Sequence, residues 1–154
     1  MESYQQSRYS AELAQAVGFV IVEAAAAEDT IAEVVVLRQG TVDSERHWWR
    51  SGEALAAALE SIGDSTLDPI TQELRRLYPE RNYVVHGLWL EWPEGPISNM
   101  VRNKSTSRQP VPTSYTERTF MTLKRLSELA NDFRKLEEAA SSAVSRAMGL
   151  TERD

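Results

Sequence analysis

Cysteine is absent from this 154-residue chain, so disulfides and thiolate metal sites are excluded and nothing suggests an oxidising compartment. Histidine is nearly as scarce, with only His47 and His86. Neither stands in an E-x-x-H or H-E-x-x-H pairing, so the sequence predicts no metal cage and no cofactor. Long apolar runs are also missing. The most apolar stretch, Ala16 to Ala27, is broken by Glu23 and is too short to span a bilayer. The N-terminus, MESYQQSRYS, has neither the basic n-region nor the apolar h-region of a signal peptide. The expectation is a cytoplasmic protein without a membrane partner.

Charge of one sign is lacking in two places. Residues 10 to 37 hold Glu12, Glu23, Glu28, Asp29 and Glu33 and no base, whereas residues 96 to 116 hold Arg102, Lys104 and Arg108 and no acid. The net charge of −6 argues against a nucleic-acid partner. A local basic strip can still bind phosphate, because screening limits the reach of distant acids to roughly 8–10 Å. With 42% apolar and 26% charged residues the composition is that of a globular protein. Its length suits one domain, residues 1–154, and is short for two.

What is present is helical patterning. Leu13, Ala16, Val17, Val20, Ile21, Ala24, Ala27, Ile31, Val34 and Val35 recur mostly at spacings of three and four, with alanine filling much of the rest. This predicts a long helix from about 10 to 38, closed by Gly40. Leu55, Ala58, Leu59 and Ile62 predict a shorter one over roughly 51 to 62. Asp68-Pro69 is a helix start, an N-cap acceptor followed by proline at the first helical position, with Ile70, Leu74 and Leu77 as the apolar stripe. Pro79 either kinks this helix or opens a new one.

Residues 82 to 92 read both ways, since Tyr, Val, Trp and Leu favour a strand while Asn82 and His86 align at i,i+4 on a helix. The helix is expected to run to about Leu88. Pro93, Gly95 and Pro96 mark a turn, and the polar, basic stretch after it is a hairpin or ordered loop. Ser114 with Glu117 matches a capping box. From there Phe120, Leu123, Leu126, Ala130, Phe133, Leu136, Ala140, Val144 and Met148 predict a second long helix. The fold class is therefore all-α, a bundle of two long and two or three shorter helices with a polar hairpin or loop insert near 91–114.

The stretch PERNYVVHGLW carries the chemistry worth weighing. His86 has a side chain whose ordinary pKa lies near neutrality, so it can move a proton at cellular pH. Arg81 is always charged and presents a planar fork suited to phosphate oxygens. Together they are the minimum set for cleaving a phosphodiester, one moving the proton and the other stabilising charge on phosphorus. Without a metal the easier substrate is RNA, which carries its own nucleophile in the 2′-hydroxyl. On a helix, positions five apart differ by about 140°, so Arg81 and His86 do not share one line, whereas Asn82 and His86 do. A second copy across a two-fold axis would complete such a site more comfortably than one chain. The alternative is structural: Arg81 makes a surface ion pair and His86 caps or fills the bundle.

The pattern Arg-Asn-x-x-x-His, here RNYVVH followed by Gly87, resembles the R-x4–6-H motif of the HEPN superfamily. The surroundings are similar as well, with a long first helix, a shorter second, the motif on a later helix and a long final helix. The resemblance implies a dimeric helical bundle and, in catalytic members, metal-independent ribonuclease activity with paired motifs facing each other. It implies His86 as the acid or base, Arg81 as the phosphate stabiliser and Asn82 as an orienting donor. Non-catalytic members act as scaffolds or as antitoxin-like partners, so a likeness of fold leaves the activity open.

Other features have plainer readings beside the functional ones. Trp48, Trp49, Trp89 and Trp92 suit base stacking or, more simply, packing between helices. Glu28, Asp29 and Glu33 suggest magnesium or a solvated helix face. Arg102, Lys104 and Arg108 either guide RNA or line a solvated loop. His47 has no partner at a recognisable spacing, and Arg75 and Arg76 read as surface residues. Two function classes follow: a HEPN-like ribonuclease of the toxin or host-defence kind, or a non-catalytic helical homodimer that binds a protein partner, such as an antitoxin, or a nucleotide.

Overall fold

The computed structural model describes residues 9–39, 51–86, 88–91, 97–105 and 114–150. Helix α1 spans Ala11–Gln39, α2 Gly52–Glu60 and α3 Asp68–His86, with a 3₁₀ turn at Ser65–Leu67 before α3. Strands β1 (Leu88–Glu91), β2 (Ile97–Ser105) and β3 (Ser114–Thr122) follow. Helix α4, Leu123–Ala147, ends the described chain. The molecule is a helical bundle, as the periodicity predicts, with the insert forming an antiparallel sheet in the order β1-β2-β3.

The apolar stripes explain the bundle. Val20, Ala24, Ala27, Ile31, Val34 and Val35 of α1 are buried at helical spacing, and Leu126, Leu129, Phe133 and Leu136 of α4 close against them. Leu55 and Leu59 of α2, with Leu74 and Leu77 of α3, complete the core.

Polar contacts between helices fix their directions. Arg38 meets Asp64 at 2.7 Å and Glu28 meets Arg81 at 2.6 Å, so α3 runs antiparallel to α1. Arg125 contacts Glu80 and Arg76 contacts Asp132, so α4 runs antiparallel to α3 and parallel to α1. The C-terminus of α3, with His86, therefore lies at the same end of the bundle as the N-termini of α1 and α4, and the sheet leaves from that end.

Asp64 shows how the connections are held. Its carboxylate accepts from the Thr66 hydroxyl at 2.7 Å and backbone N–H at 2.9 Å, closing the 3₁₀ turn. The Thr66 hydroxyl, then Arg38, then the Thr66 N–H bring its pKa down to about 2. Helix α3 begins at Asp68, where the Asp-Pro pair places it, and runs as one element through Pro79.

Two expectations are corrected. Helix α3 stops at His86, not near Leu88, and Leu88 opens β1 paired with Val101 of β2. Ser114 and Glu117 are not a capping box, because they lie on β3, paired with Ser105 and Arg102 of β2. The true N-cap of α4 is Thr122, whose hydroxyl accepts from Arg125 N–H at 3.0 Å. The physical reason is that residues 114–119 carry no apolar stripe to hold a helix against the core, while β2 offers a full ladder of backbone partners. The insert is thus a hairpin rather than a loop. The expected cap at Gly40 lies outside the described residues. Among the described residues no helix is long and apolar enough to cross a membrane.

Candidate functional site

All three motif residues sit on the C-terminal half of α3. The stripe Ile70, Leu74, Leu77 and Val84 turns inward, which leaves Arg81 and Asn82 half-buried at its margins and His86 exposed at the helix end.

Arg81 is not a surface residue. Its Nη2 donates to Glu28 Oε1 of α1 at 2.6 Å, and the two side chains retain 14% and 13% of their exposure. The same Glu28 oxygen accepts from the backbone N–H of Gly52 at 2.9 Å. One carboxylate thus ties α1, the start of α2 and α3 together. Gly52 is suited to that corner, with φ +56° and a position where a Cβ would come within 3.2 Å of the Tyr78 ring. Arg81 Nε is buried without a hydrogen-bond partner.

Glu28 is the residue that sequence reasoning missed. Grouped with Asp29 and Glu33 it looks like part of a solvated acidic face. Yet it stands four residues after buried Ala24 and three before buried Ile31, at the margin of the apolar stripe. An acid at such a position calls for a cation, and Arg81 supplies it.

The site is bordered by further ion pairs. Arg125 donates to Glu80, the neighbour of Arg81, at 2.9 Å. That hydrogen bond is the main cause raising the Arg125 pKa further above its ordinary value. Arg75 bridges Glu53 and Glu60 of α2, pinning α2 onto α3, and Arg76 bridges Glu73 and Asp132. Both arginines lie at the surface, as the sequence suggests, but within networks.

Helix α3 brings Asn82 and His86 one turn apart on one line and directs Arg81 sideways into the α1–α2 corner. Among the described residues no hydrogen bond joins Arg81 to His86. Arg102 and Lys104 stand two residues apart on β2, with Arg102 opposite Glu117 in register, while their side chains and the whole of Arg108 lie outside the described residues. Trp89 is buried and its indole N–H donates to the Val84 carbonyl at 3.1 Å, a packing role against the end of α3. His47, Trp48, Trp49 and Trp92 lie outside the described residues. Among the described residues, no group of three or more His, Asp or Glu gathers in a metal-binding arrangement. Comparison of the chain with family models, with curated proteins and with solved structures finds no match.

Proposed function

We propose that the chain is a metal-independent endoribonuclease of HEPN type, cutting RNA by attack of the 2′-hydroxyl at a cleft between two copies. The observation that carries the reading is the exposure of His86 at the end of α3, one turn from Asn82 and on the helix that holds Arg81. An exposed imidazole takes the 2′-hydroxyl proton or returns one to the leaving 5′-oxygen. Arg81 engages Glu28 through Nη2 alone, which leaves Nη1 for a phosphate oxygen. Asn82 orients the linkage between them. Single-chain chemistry offers one imidazole, whereas two steps need an acid and a base, so a two-fold pair supplies the second. Arg102, Lys104 and Arg108 would hold the flanking phosphates. A cytoplasmic toxin or defence component, kept in check by a partner protein, is the setting that fits this activity.

His86→Ala is expected to abolish cleavage of single-stranded RNA without lowering the melting temperature, and EDTA to leave wild-type cleavage intact. Loss of cleavage in EDTA, or full activity in His86→Ala, would refute the reading.

A second reading is favoured by a different observation. The Arg81–Glu28–Gly52 junction makes Arg81 a structural tie, which suits a non-catalytic helical dimer that binds a protein or a nucleotide. On that reading wild-type protein is inert towards RNA even at high concentration and harmless when overexpressed.

A further inference from the structure

Arg81 is only half used by its partner. In the other arginine ties of α3 and α4 the guanidinium grips one carboxylate at two points. Arg76 donates to Glu73 through Nε and Nη2, and Arg125 donates to Glu80 through the same two atoms. Arg81 donates to Glu28 through Nη2 alone. The oxygen that accepts it, Oε1, is shared with the Gly52 N–H, and Arg81 Nε is left buried without a partner. A buried donor without an acceptor calls for an explanation, because such groups are nearly always satisfied.

The atom that Glu28 holds decides what the rest of the guanidinium can do. An oxyanion gripped by two parallel hydrogen bonds lies either along the Nε–Nη2 edge or along the Nη1–Nη2 edge. Nη2 belongs to both. With Nη2 taken by Glu28 at 2.6 Å, Nη1 gives a phosphate a single point of contact. The pair also offers an incoming phosphate no net charge, since the carboxylate cancels the guanidinium beside it.

We propose that Glu28 is a built-in competitor for the RNA phosphate at Arg81. At rest it occupies the nitrogen that a two-point grip requires. When RNA enters, the phosphodiester takes Nη2 from Glu28 and lies along an edge of the fork. Release slackens the tie between α1 and α3, so the resting protein binds RNA weakly and whatever draws Glu28 away strengthens binding. The inference rests on the proposed function only in taking Arg81 as the phosphate-binding group, and it asks nothing of His86. If the contact were a structural tie and nothing more, weakening it would leave RNA affinity unchanged or lower.

The test is binding of a single-stranded 2′-O-methyl RNA, which has no free 2′-hydroxyl to attack with, to the full chain. Fluorescence anisotropy measures it over a series of salt concentrations. Glu28→Gln keeps an acceptor for the Gly52 N–H and removes the charge that holds Nη2. It is expected to bind at least ~tenfold tighter than wild type, the worth of one further charge-assisted hydrogen bond. The fall of log affinity with log salt should steepen by about 0.7, the slope of one phosphate contact on a single strand. Adding Arg81→Ala should remove both gains. Should Glu28→Gln fail to fold by circular dichroism, Glu28→Asp is the second variant. Its shorter side chain draws the carboxylate back from Nη2, and a gain in the same direction is expected. A folded variant that binds no tighter than wild type, a gain that survives Arg81→Ala, or no binding by any of these proteins overturns the inference. Cleavage of the unmodified strand is measured on the same samples. A binding gain without cleavage refutes the nuclease alone, and cleavage without a binding gain overturns the competitor alone.

Discussion

Removing the Glu28 carboxylate strands an arginine. In Glu28→Ala the Arg81 guanidinium keeps about its present burial, with 14% side-chain exposure, and loses its partner at 2.6 Å, while Gly52 N–H loses its acceptor at 2.9 Å. Breaking a fully buried pair destabilises by ~3–5 kcal/mol, because the remaining charge is uncompensated. Here the residual exposure lets water approach, which lowers the pair's share, and the orphaned Gly52 N–H adds to it. A total of about 3 kcal/mol is expected, which for a domain of this size lowers Tm by roughly 6–12 °C. Glu28→Gln keeps an acceptor for both donors and removes only the charge, so it should destabilise less, by about 1–2 kcal/mol. Urea denaturation at neutral pH measures both, and the double variant with Arg81→Ala should recover a large part of the sum. A change in Glu28→Ala of less than about 0.5 kcal/mol, the range of an ordinary surface substitution, would refute the account of Arg81 as a tie between helices.

Two smaller tests address the same scaffold. Gly52→Ala forces a side chain into φ +56° and towards the Tyr78 ring, and should destabilise by about 1–3 kcal/mol in thermal melting. The Asp64 carboxyl is held down to about 2 from 3.8, so its contribution to stability is fully present above 3.8 and is lost as pH falls through about 2. In Asp64→Asn the stability measured by denaturant titration should fall less steeply across that acid window than in wild type.

The bundle was legible because its signals are local. Spacings of three and four along 13–35 and 120–148 give α1 and most of α4, and Asp68-Pro69 gives the first residue of α3. The Ser114–Glu117 pattern misled because a cap is defined by backbone geometry that a sequence pattern only suggests, and the competing partner, β2, is reached through tertiary pairing. Leu88–Glu91 forms β1 for the same reason: its ladder partner, β2, begins only at Ile97. At the site, the motif residues and their helix could be read, but the tie to Glu28 could not. It joins positions 53 residues apart, and only the stripe from Ala24 to Ile31 hinted that Glu28 faces inward.

The proposed ribonuclease activity requires His86 to move a proton in 2′-hydroxyl attack on RNA. The most direct measurement incubates the protein with a single-stranded RNA and with the same strand carrying one 2′-deoxy nucleotide, and identifies the product ends by phosphorus NMR. The expected products are a 2′,3′-cyclic phosphate and a 5′-hydroxyl, with no cut at the deoxy position and neither product from His86→Ala. Cleavage at the deoxy position, 5′-phosphate ends, or no cleavage by a dimeric wild type would contradict it.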